Sequence, residues 1–231
     1  MKRFAALLLL VAAAACTSPR YVGSVGRDRT YVNRGYGFLV RLDHDNLSER
    51  YDAVTAENLT AFPPGVRATL KEAPLDLDGD GFLDPTETTR FLEPALRLVS
   101  RTSSVVTIDV EVQIVPKRSK SVTLASMVAN EHRMTTLGGV TPRGGVLDTP
   151  VKTSTVTPGF TAMTYEAPGR VVALIDMPEF RAEEGIKRRQ IVRVTLSATR
   201  VTPALREDHG HVLKALILNR RGSFETTKEQ W

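Results

Sequence analysis

The sequence predicts an α+β fold rich in β-structure, namely an antiparallel β-sandwich or open barrel that carries a small helical segment. The first observation is a stretch of strict alternation, with one apolar set and one polar set: Ile108, Val110, Val112 and Ile114 against Thr107, Asp109, Glu111 and Gln113. A period of two is typical of a strand with one buried face and one wet face. The second observation is that similar stretches, separated by short turns, recur over residues 103–201.

The first hundred residues contain shorter patterns. Residues 36–42 are rich in aromatic and aliphatic side chains and predict a first strand. Asn46, with Glu49 three positions later, predicts the start of a short helix within 47–59. Residues 66–73 predict another short helix, which ends before Pro74.

After residue 115, turn residues separate the predicted elements. Residues 117–120 predict a charged turn, and Val122, Leu124 and Val128 then predict a second strand. Two pairs of glycines between residues 136 and 150, Gly138-Gly139 and Gly144-Gly145, predict a long hairpin loop.

The last third of the chain continues the strand pattern. Residues 160–165 and 170–177 predict a hairpin around Pro168-Gly169. Residues 189–201 predict a long strand with an inward set formed by Val192, Val194, Leu196 and Ala198. Residues 212–218 fit either a strand or a helix. The chain then divides into a region 30–102, with the first strand and the helical segment, and an antiparallel β-unit with a C-terminal element at 103–231.

Length and charge exclude some classes of protein. The 231 residues suffice for a proper core, and the formal charge of +5 is too small to indicate a nucleic-acid partner. No stretch is both long enough and apolar enough to predict a membrane-spanning helix.

The N-terminus has the organisation of an export signal. Lys2-Arg3 precedes an apolar stretch from Phe4 to Ala15 that is too short to span a bilayer. The stretch ends in Ala13-Ala14-Ala15, which leads directly to Cys16, the only cysteine in the chain. Residues 1–15 are therefore predicted to be a signal peptide, with a plain secretory signal as the alternative to a lipoprotein signal.

Ala13-Ala14-Ala15-Cys16 resembles the lipobox of bacterial lipoproteins. The resemblance implies that the thiol of Cys16 carries a diacylglyceryl group, and that the protein contacts the membrane through this N-terminal lipid. Thr17, in place of Asp, resembles the pattern of lipoproteins sent to the outer membrane. Residues 16–29 are polar and predict a lipid-anchored tether in the cell envelope.

Residues 76–87 carry the chemistry of a metal site. Calcium takes six to eight oxygen ligands at about 2.3 to 2.6 Å, and alternate residues of a tight loop can direct oxygens to one centre. Gly81 permits the turn around such an ion. The predicted ligands follow one spacing: Asp76, Asp78 and Asp80 at positions 1, 3 and 5, the carbonyl of Phe82 at 7, Asp84 at 9 and Glu87 at 12.

This segment resembles the calcium-binding loop of the EF-hand family at every one of those positions. The resemblance implies calcium as the cofactor, with Leu83 pointing into the core. On the outgoing side, Asp84 is predicted to cap a helix that continues through residues 91–99. On the incoming side, Pro74 interrupts the helix that is usual in the family. The sequence therefore leaves undecided whether the motif is a complete helix-loop-helix. The alternative is an acidic turn without a metal.

The remaining candidate groups have weaker patterns. His209, His211 and His44 offer imidazole ligands for zinc or copper, or are ordinary surface residues. Two basic runs, 187–189 and 220–221, suit anionic lipid or polysaccharide, or are solvated faces. No motif for nucleophilic or metal-dependent hydrolysis is recognisable.

Two functions are compatible with these features. The first, which the sequence favours, is a non-enzymatic envelope protein with a binding or scaffolding role toward a protein or polysaccharide. In this function, calcium stabilises local structure. The alternative is a calcium-dependent envelope hydrolase or carbohydrate-active enzyme. An enzyme requires a pocket with convergent carboxylates or histidines outside the calcium loop.

Overall fold

The computed structural model of the chain describes residues 21–84, 87–119, 121–137, 151–182 and 185–221. Thirteen strands lie in these residues: β1 (Ser24–Val25), β2 (Thr30–Asn33), β3 (Phe38–Arg41), β4 (Tyr51–Val54), β5 (Thr69–Pro74), β6 (Thr88–Glu93), β7 (Leu96–Ser100), β8 (Thr107–Val115), β9 (Lys152–Thr155), β10 (Thr161–Ala167), β11 (Arg170–Arg181), β12 (Lys187–Ser197) and β13 (Leu216–Leu218). The α-helices of the same residues are α1 (Leu47–Arg50), α2 (Leu124–Leu137) and α3 (Pro203–Ala215).

The described strands form three antiparallel sheets. A seven-stranded sheet has the order β4-β7-β8-β12-β11-β10-β9, a four-stranded sheet has the order β1-β2-β3-β13, and β5 pairs with β6 in a hairpin. The predicted class, an α+β fold dominated by antiparallel sheets, is confirmed. The hairpin predicted around Pro168-Gly169 is also confirmed, because β10 pairs with β11 across it.

The main core lies between the two larger sheets. The alternating set of β8 faces inward, and Ile108 and Val110 are fully buried. On β12, the predicted inward residues Val192, Val194 and Leu196 are buried in the same core. Ala198 lies beyond the end of β12, which stops at Ser197.

The opposite face of the large sheet, predicted to be solvated, carries ion-paired side chains. Asp109 is buried and forms a two-pronged ion pair with Arg97 on β7, both N–O distances being 2.7 Å. Glu111 pairs with Arg193 on β12 at 3.3 Å. Neighbouring strands supply the opposite charge, which a pattern within one strand does not reveal.

The strand predicted over Val122, Leu124 and Val128 is wrong, because this segment forms the start of α2. The hydroxyl oxygen of Thr123 accepts a hydrogen bond from the Ser126 N–H at 3.2 Å, which caps the helix. Val128 is buried in a second apolar cluster on the outer face of the large sheet, together with Val115, Tyr165, Val172, Leu174 and Ile191.

The helices predicted over 66–73 and 91–99 are also wrong. Residues 69–74 and 88–93 are the paired strands β5 and β6, and residues 96–100 are β7. Leu70 lies opposite Leu92 in the hairpin, and Leu92 is buried against Val54 and Val99. The apolar spacing fits a helix, but strand pairing buries the same side chains and overrides local preference.

The folded chain begins before the end of the predicted tether. Tyr21 is 2% exposed, and it forms an isolated bridge to Phe91 at the edge of β6. The predicted boundary at 102/103 lies between β7 and β8, which are neighbours in one sheet. Both regions therefore contribute to a single core.

The remaining predictions have mixed outcomes. Asn46 does precede a helix, but α1 is only four residues long and Asn46 makes no side-chain capping bond. Residues 212–218 are divided, since α3 ends at Ala215 and β13 follows. The signal peptide, Cys16 and the predicted glycine-rich loop lie outside the described residues, the loop because 138–150 are not described.

Candidate calcium site

Residues 75–87 connect β5 to β6, and the backbone pairing of the two strands extends to the two ends of this loop. The N–H of Leu75 donates to the carbonyl of Glu87 at 3.0 Å, so the two ends of the loop are paired. Leu77 is buried in the main core, which fixes the first turn of the loop to the sandwich. The EF-hand-like segment is thus held between strands, not between helices.

The carboxylate of Asp76 organises the first half of the loop. Its Oδ1 accepts hydrogen bonds from the N–H groups of Gly79 at 2.7 Å and Asp80 at 3.1 Å. Its Oδ2 accepts one from Gly81 at 2.9 Å. Gly79 and Gly81 have φ angles of +71° and +95°, which residues with a side chain rarely adopt. The chain therefore winds around the carboxylate of Asp76.

The carboxylate of Glu87 closes the loop from the other end. Glu87 is only 4% exposed. Its Oε1 accepts from the Leu77 N–H at 2.9 Å, and its Oε2 accepts from the Asp84 N–H at 2.8 Å. Backbone donors on both oxygens offset the cost of burying the group.

Three of the predicted ligands converge. One oxygen from each of Asp76, Asp78 and Glu87 lies within 4.8 Å of the other two. Oxygens bound to one calcium ion at about 2.3 to 2.6 Å are at most about 5 Å apart, so this donor set fits the ion.

The other predicted ligands are not part of the converged set. Asp80 and Asp84 are exposed, and Oδ1 of Asp80 accepts the Phe82 N–H at 2.8 Å. The side chains of Phe82 and Leu83 are 76% and 57% exposed. The prediction that Leu83 points into the core is therefore wrong, because a loop between strands turns its tip toward solvent.

Lys117 is a neighbour that the sequence did not predict. Its ammonium group donates a hydrogen bond to Oδ2 of Asp78, and its backbone N–H donates to the carbonyl of Gly79 at 2.6 Å. The hydrogen bond to Lys117 lowers the pKa of Asp78, and the same bond raises the pKa of Lys117. A bound cation and Lys117 would compete for the same carboxylate.

Arg188 joins the loop to the N-terminal segment. It is 3% exposed, and its Nη1 donates to the carbonyl of Leu77 at 3.1 Å and to the hydroxyl of Tyr21 at 3.2 Å. Its Nη2 donates to the carbonyl of Gly35 at 2.9 Å. The sequence interpretation of 187–189 as a solvated basic run missed this role. The sequence did contain a signal for it. Arg188 is an even number of positions from the inward residues of β12, so the alternation of the strand places its side chain on the same face.

The histidines are in two separate environments. His209 is buried in α3 with its Nε2 3.1 Å from the carbonyl of Val194. His44 and His211, which are distant in sequence, meet at the carboxylate of Asp45.

One cleft beside β11 and β12 bears on the enzymatic alternative. It has a volume of about 730 Å³ and no histidine in its lining. Of its two carboxylates, Glu179 is exposed, and Asp176 is engaged by Arg189 at 2.9 and 2.7 Å. A carboxylate held in a two-pronged ion pair is not available as a catalytic base.

Comparison with known proteins does not add a relative to these observations. No protein-family model matches the chain. No curated protein matches it at a significant level either. Within the described residues, every helix is too short or too polar to cross a membrane.

Proposed function

We propose that this chain is a calcium-binding, lipid-anchored protein of the bacterial cell envelope, with a β-rich scaffold that binds a protein or a polysaccharide. The observation that carries the calcium proposal is the convergence of Asp76, Asp78 and Glu87 in a loop already wound around Asp76. Because carboxylates held so close repel one another, a divalent cation between them is favourable.

The loop residues would coordinate the ion as two groups, one already oriented and one that must move. Asp76 and Glu87, fixed by backbone N–H groups, would supply oxygens that are already oriented. Asp78, Asp80 and Asp84, with the carbonyl of Phe82, would complete the shell after small movements at the exposed side of the loop. Calcium would supply positive charge at the centre of the loop.

The role we propose for the ion is local stabilisation. Single exported sites bind calcium with dissociation constants of about 10⁻⁴ to 10⁻³ M. At about millimolar calcium this adds about 0.4 to 1.4 kcal/mol of stability, enough to order a loop but too little to fold the protein. The hairpin setting supports a stabiliser over a sensor, since the strands β5 and β6 flank the loop where a sensor has an opening helix pair.

The loop is joined to the first described residue of the chain. Tyr21 accepts a hydrogen bond from Arg188, which also binds the loop carbonyl of Leu77. Four residues lie between Cys16 and Tyr21, so the two are at most about 18 Å apart. If Cys16 carries the lipid, calcium stiffens the part of the domain nearest the membrane, in the outer membrane as Thr17 indicates.

Calcium binding is tested by calorimetric titration of residues 17–231, which retain the whole described core. We expect one calcium ion per chain, weaker binding of magnesium because it demands a smaller octahedral shell, and a calcium-dependent rise in melting temperature. No heat and no shift in melting temperature at several millimolar calcium would contradict the proposal.

Lipid attachment is tested separately by metabolic labelling with palmitate. The intact chain should incorporate the label, and Cys16→Ser should not, because the only thiol has been removed. The variant should also leave the membrane fraction. Equal labelling of both forms would remove the anchor from the proposal without affecting the calcium site.

A further inference from the structure

A second group of metal-ligand side chains lies between α3 and the turn before α1. Residues His44–Asn46 form a single 3₁₀ turn, and His211 lies on α3. One ligand atom from each of His44, Asp45 and His211 lies within 4.8 Å of the other two. Oδ2 of Asp45 is 2.7 Å from Nδ1 of His44 and 2.5 Å from Nδ1 of His211.

The backbone at Asp45 is held in a sparsely populated conformation. Asp45 and Asn46 have φ angles of +48° and +55°, a left-handed region that asparagine and aspartate tolerate better than most residues. Nη1 of Arg50 donates to the carbonyl of Asp45 at 2.8 Å and helps to fix the turn. Such conformations cost energy and often occur at ligand sites.

The contact between His44 and Asp45 is not a good hydrogen bond. Nδ1 of His44 is shielded from solvent and has no well-aligned hydrogen bond to the described residues, despite the oxygen 2.7 Å away. An unsatisfied buried nitrogen is uncommon, and a cation held between the three side chains would satisfy it.

We propose that His44, Asp45 and His211 bind one divalent cation of the zinc class. Two imidazole nitrogens and one carboxylate are typical of zinc sites that keep a position for water, and they are poor donors for calcium. The site is independent of the calcium loop, because it contains none of the residues from 76 to 87.

The geometry requires only a small adjustment. Ligands at about 2.0 to 2.2 Å in a tetrahedral site are about 3.3 Å apart, so the carboxylate of Asp45 must move away by less than about 1 Å, and the two imidazole nitrogens, now within 4.8 Å of each other, must reach the same spacing. The side chain of Asp45 is 42% exposed and has room to do so.

The outer neighbours of the site include both signs of charge. Oε1 of Glu207, one helical turn before His211, lies 3.7 Å from Nε2 of that ring. This distance is beyond a hydrogen bond, so Glu207 acts on the ring by charge, while Nδ1 of His211 is hydrogen-bonded to the carboxylate of Asp45 that a metal would have to share. Of the nearby cations, Arg50 pairs with Asp208 at 3.0 Å, and Lys214 acts on Asp45 by charge.

The experiment is a zinc titration of the full chain in detergent, with Cys16→Ser in every sample so that no thiol competes. Millimolar calcium is present to occupy the acidic loop. Asp45→Asn and His211→Gln remove one ligand each, and asparagine retains tolerance of the left-handed backbone. Asp43→Asn is the matched control, because Asp43 is in the same segment and pairs outward with Arg41 at 3.3 Å.

We expect one zinc ion per chain, at least tenfold weaker binding in Asp45→Asn and in His211→Gln, and unchanged binding in Asp43→Asn. Cobalt(II) should give visible absorption bands of a four- or five-coordinate site that both ligand variants lose.

The melting temperature of each variant, measured with a chelator, shows whether it is folded. If one ligand variant fails to fold, the zinc affinity of the other is enough to test the proposal. Equal affinity in Asp45→Asn and Asp43→Asn, or no zinc binding by the parent, would overturn the proposal. Calcium affinity is measured on the same parent sample, so failure of the calcium loop is seen separately.

Discussion

Nη1 of Arg188 donates a hydrogen bond to the carbonyl of Leu77 at 3.1 Å, although the two residues are 111 positions apart. The guanidinium group is buried, and it stacks over Phe180 with 4.9 Å to the ring centroid. Through Tyr21 and Leu77 this one side chain joins the start of the fold to the acidic loop. Two predictions concern this link and the loop.

Replacing Arg188 should destabilise the protein and uncouple the loop from the N-terminal segment. Arg188→Met leaves the carbonyls of Leu77 and Gly35 buried without their donor, at a cost of about 3 kcal/mol or more. Denaturant unfolding measures that cost. Hydrogen exchange in residues 21–36 should be slowed by calcium in the parent but not in the variant.

The control for this prediction is Lys187→Met. It removes the same charge from the adjacent position, where the side chain is exposed. Its unfolding free energy should remain within about 0.5 kcal/mol of the parent. A similar loss in both variants would show that the buried hydrogen bonds of Arg188 are not what matters.

Removing the charge of Glu87 should weaken calcium binding at least tenfold. Glu87→Gln replaces one acceptor oxygen with an amide that faces the N–H of Leu77 or of Asp84, so the loop also loses a hydrogen bond. Asp76→Ala should have the same effect from the other end of the loop. Calorimetric titration reports both affinities, and circular dichroism should show that the sandwich remains folded.

Glu72→Gln serves as the reference for the loop variants. Glu72 is on the same hairpin, but it is exposed and pairs with Arg90 at 2.9 Å, away from the converged oxygens. Its calcium affinity should match that of the parent. If Glu72→Gln and Glu87→Gln lose affinity equally, the effect is one of general charge, not of ligation.

The strand register predicts a sharp contrast between two positions on β8. Val110 is fully buried between the large sheets, so Val110→Asp places an unpaired charge in the core at a cost of several kcal/mol. Gln113 is exposed on the opposite face, and Gln113→Lys should change stability by less than about 0.5 kcal/mol. Thermal unfolding of the two variants measures the difference, and similar melting temperatures would contradict the register.

His209 should make the protein less stable in mild acid. Burial lowers its pKa below the usual 6.5, whereas the hydrogen bond to Val194 opposes the shift only in part. Below about pH 6.5 the unfolded chain binds a proton that the folded chain does not, so stability falls as pH falls. The slope approaches about 1.4 kcal/mol per pH unit until the folded pKa is reached.

The measurement compares the parent with His209→Gln, whose amide can still donate to the Val194 carbonyl. Between pH 7 and pH 5.5 the parent should lose about 1 kcal/mol more than the variant. Other groups titrate in both chains and cancel in the difference. An equal loss would mean that His209 becomes protonated in the folded state as readily as in the unfolded chain.

The sequence alone determined the features that depend on short-range pattern. Alternation over 107–114 identified β8 and its buried face, and Pro168-Gly169 identified the β10–β11 hairpin. The loop spacing placed Asp76, Asp78 and Glu87, which converge, among the predicted ligands, but it did not separate them from Asp80 and Asp84, which are exposed.

The features that depend on contacts between distant segments were decided only by the tertiary structure. The apolar residues of 91–99 fit a helical face as well as they fit two strands, and pairing of β6 with β5 and of β7 with β8 selected the strands. Likewise, Val128 packs against the outer face of the large sheet, and this packing stabilised α2 where the sequence predicted a strand. Arg188, and the meeting of His44 with His211, depend on contacts between residues more than a hundred positions apart. Local sequence carries no information on such contacts, since their energy arises only when the sheets and helices are packed.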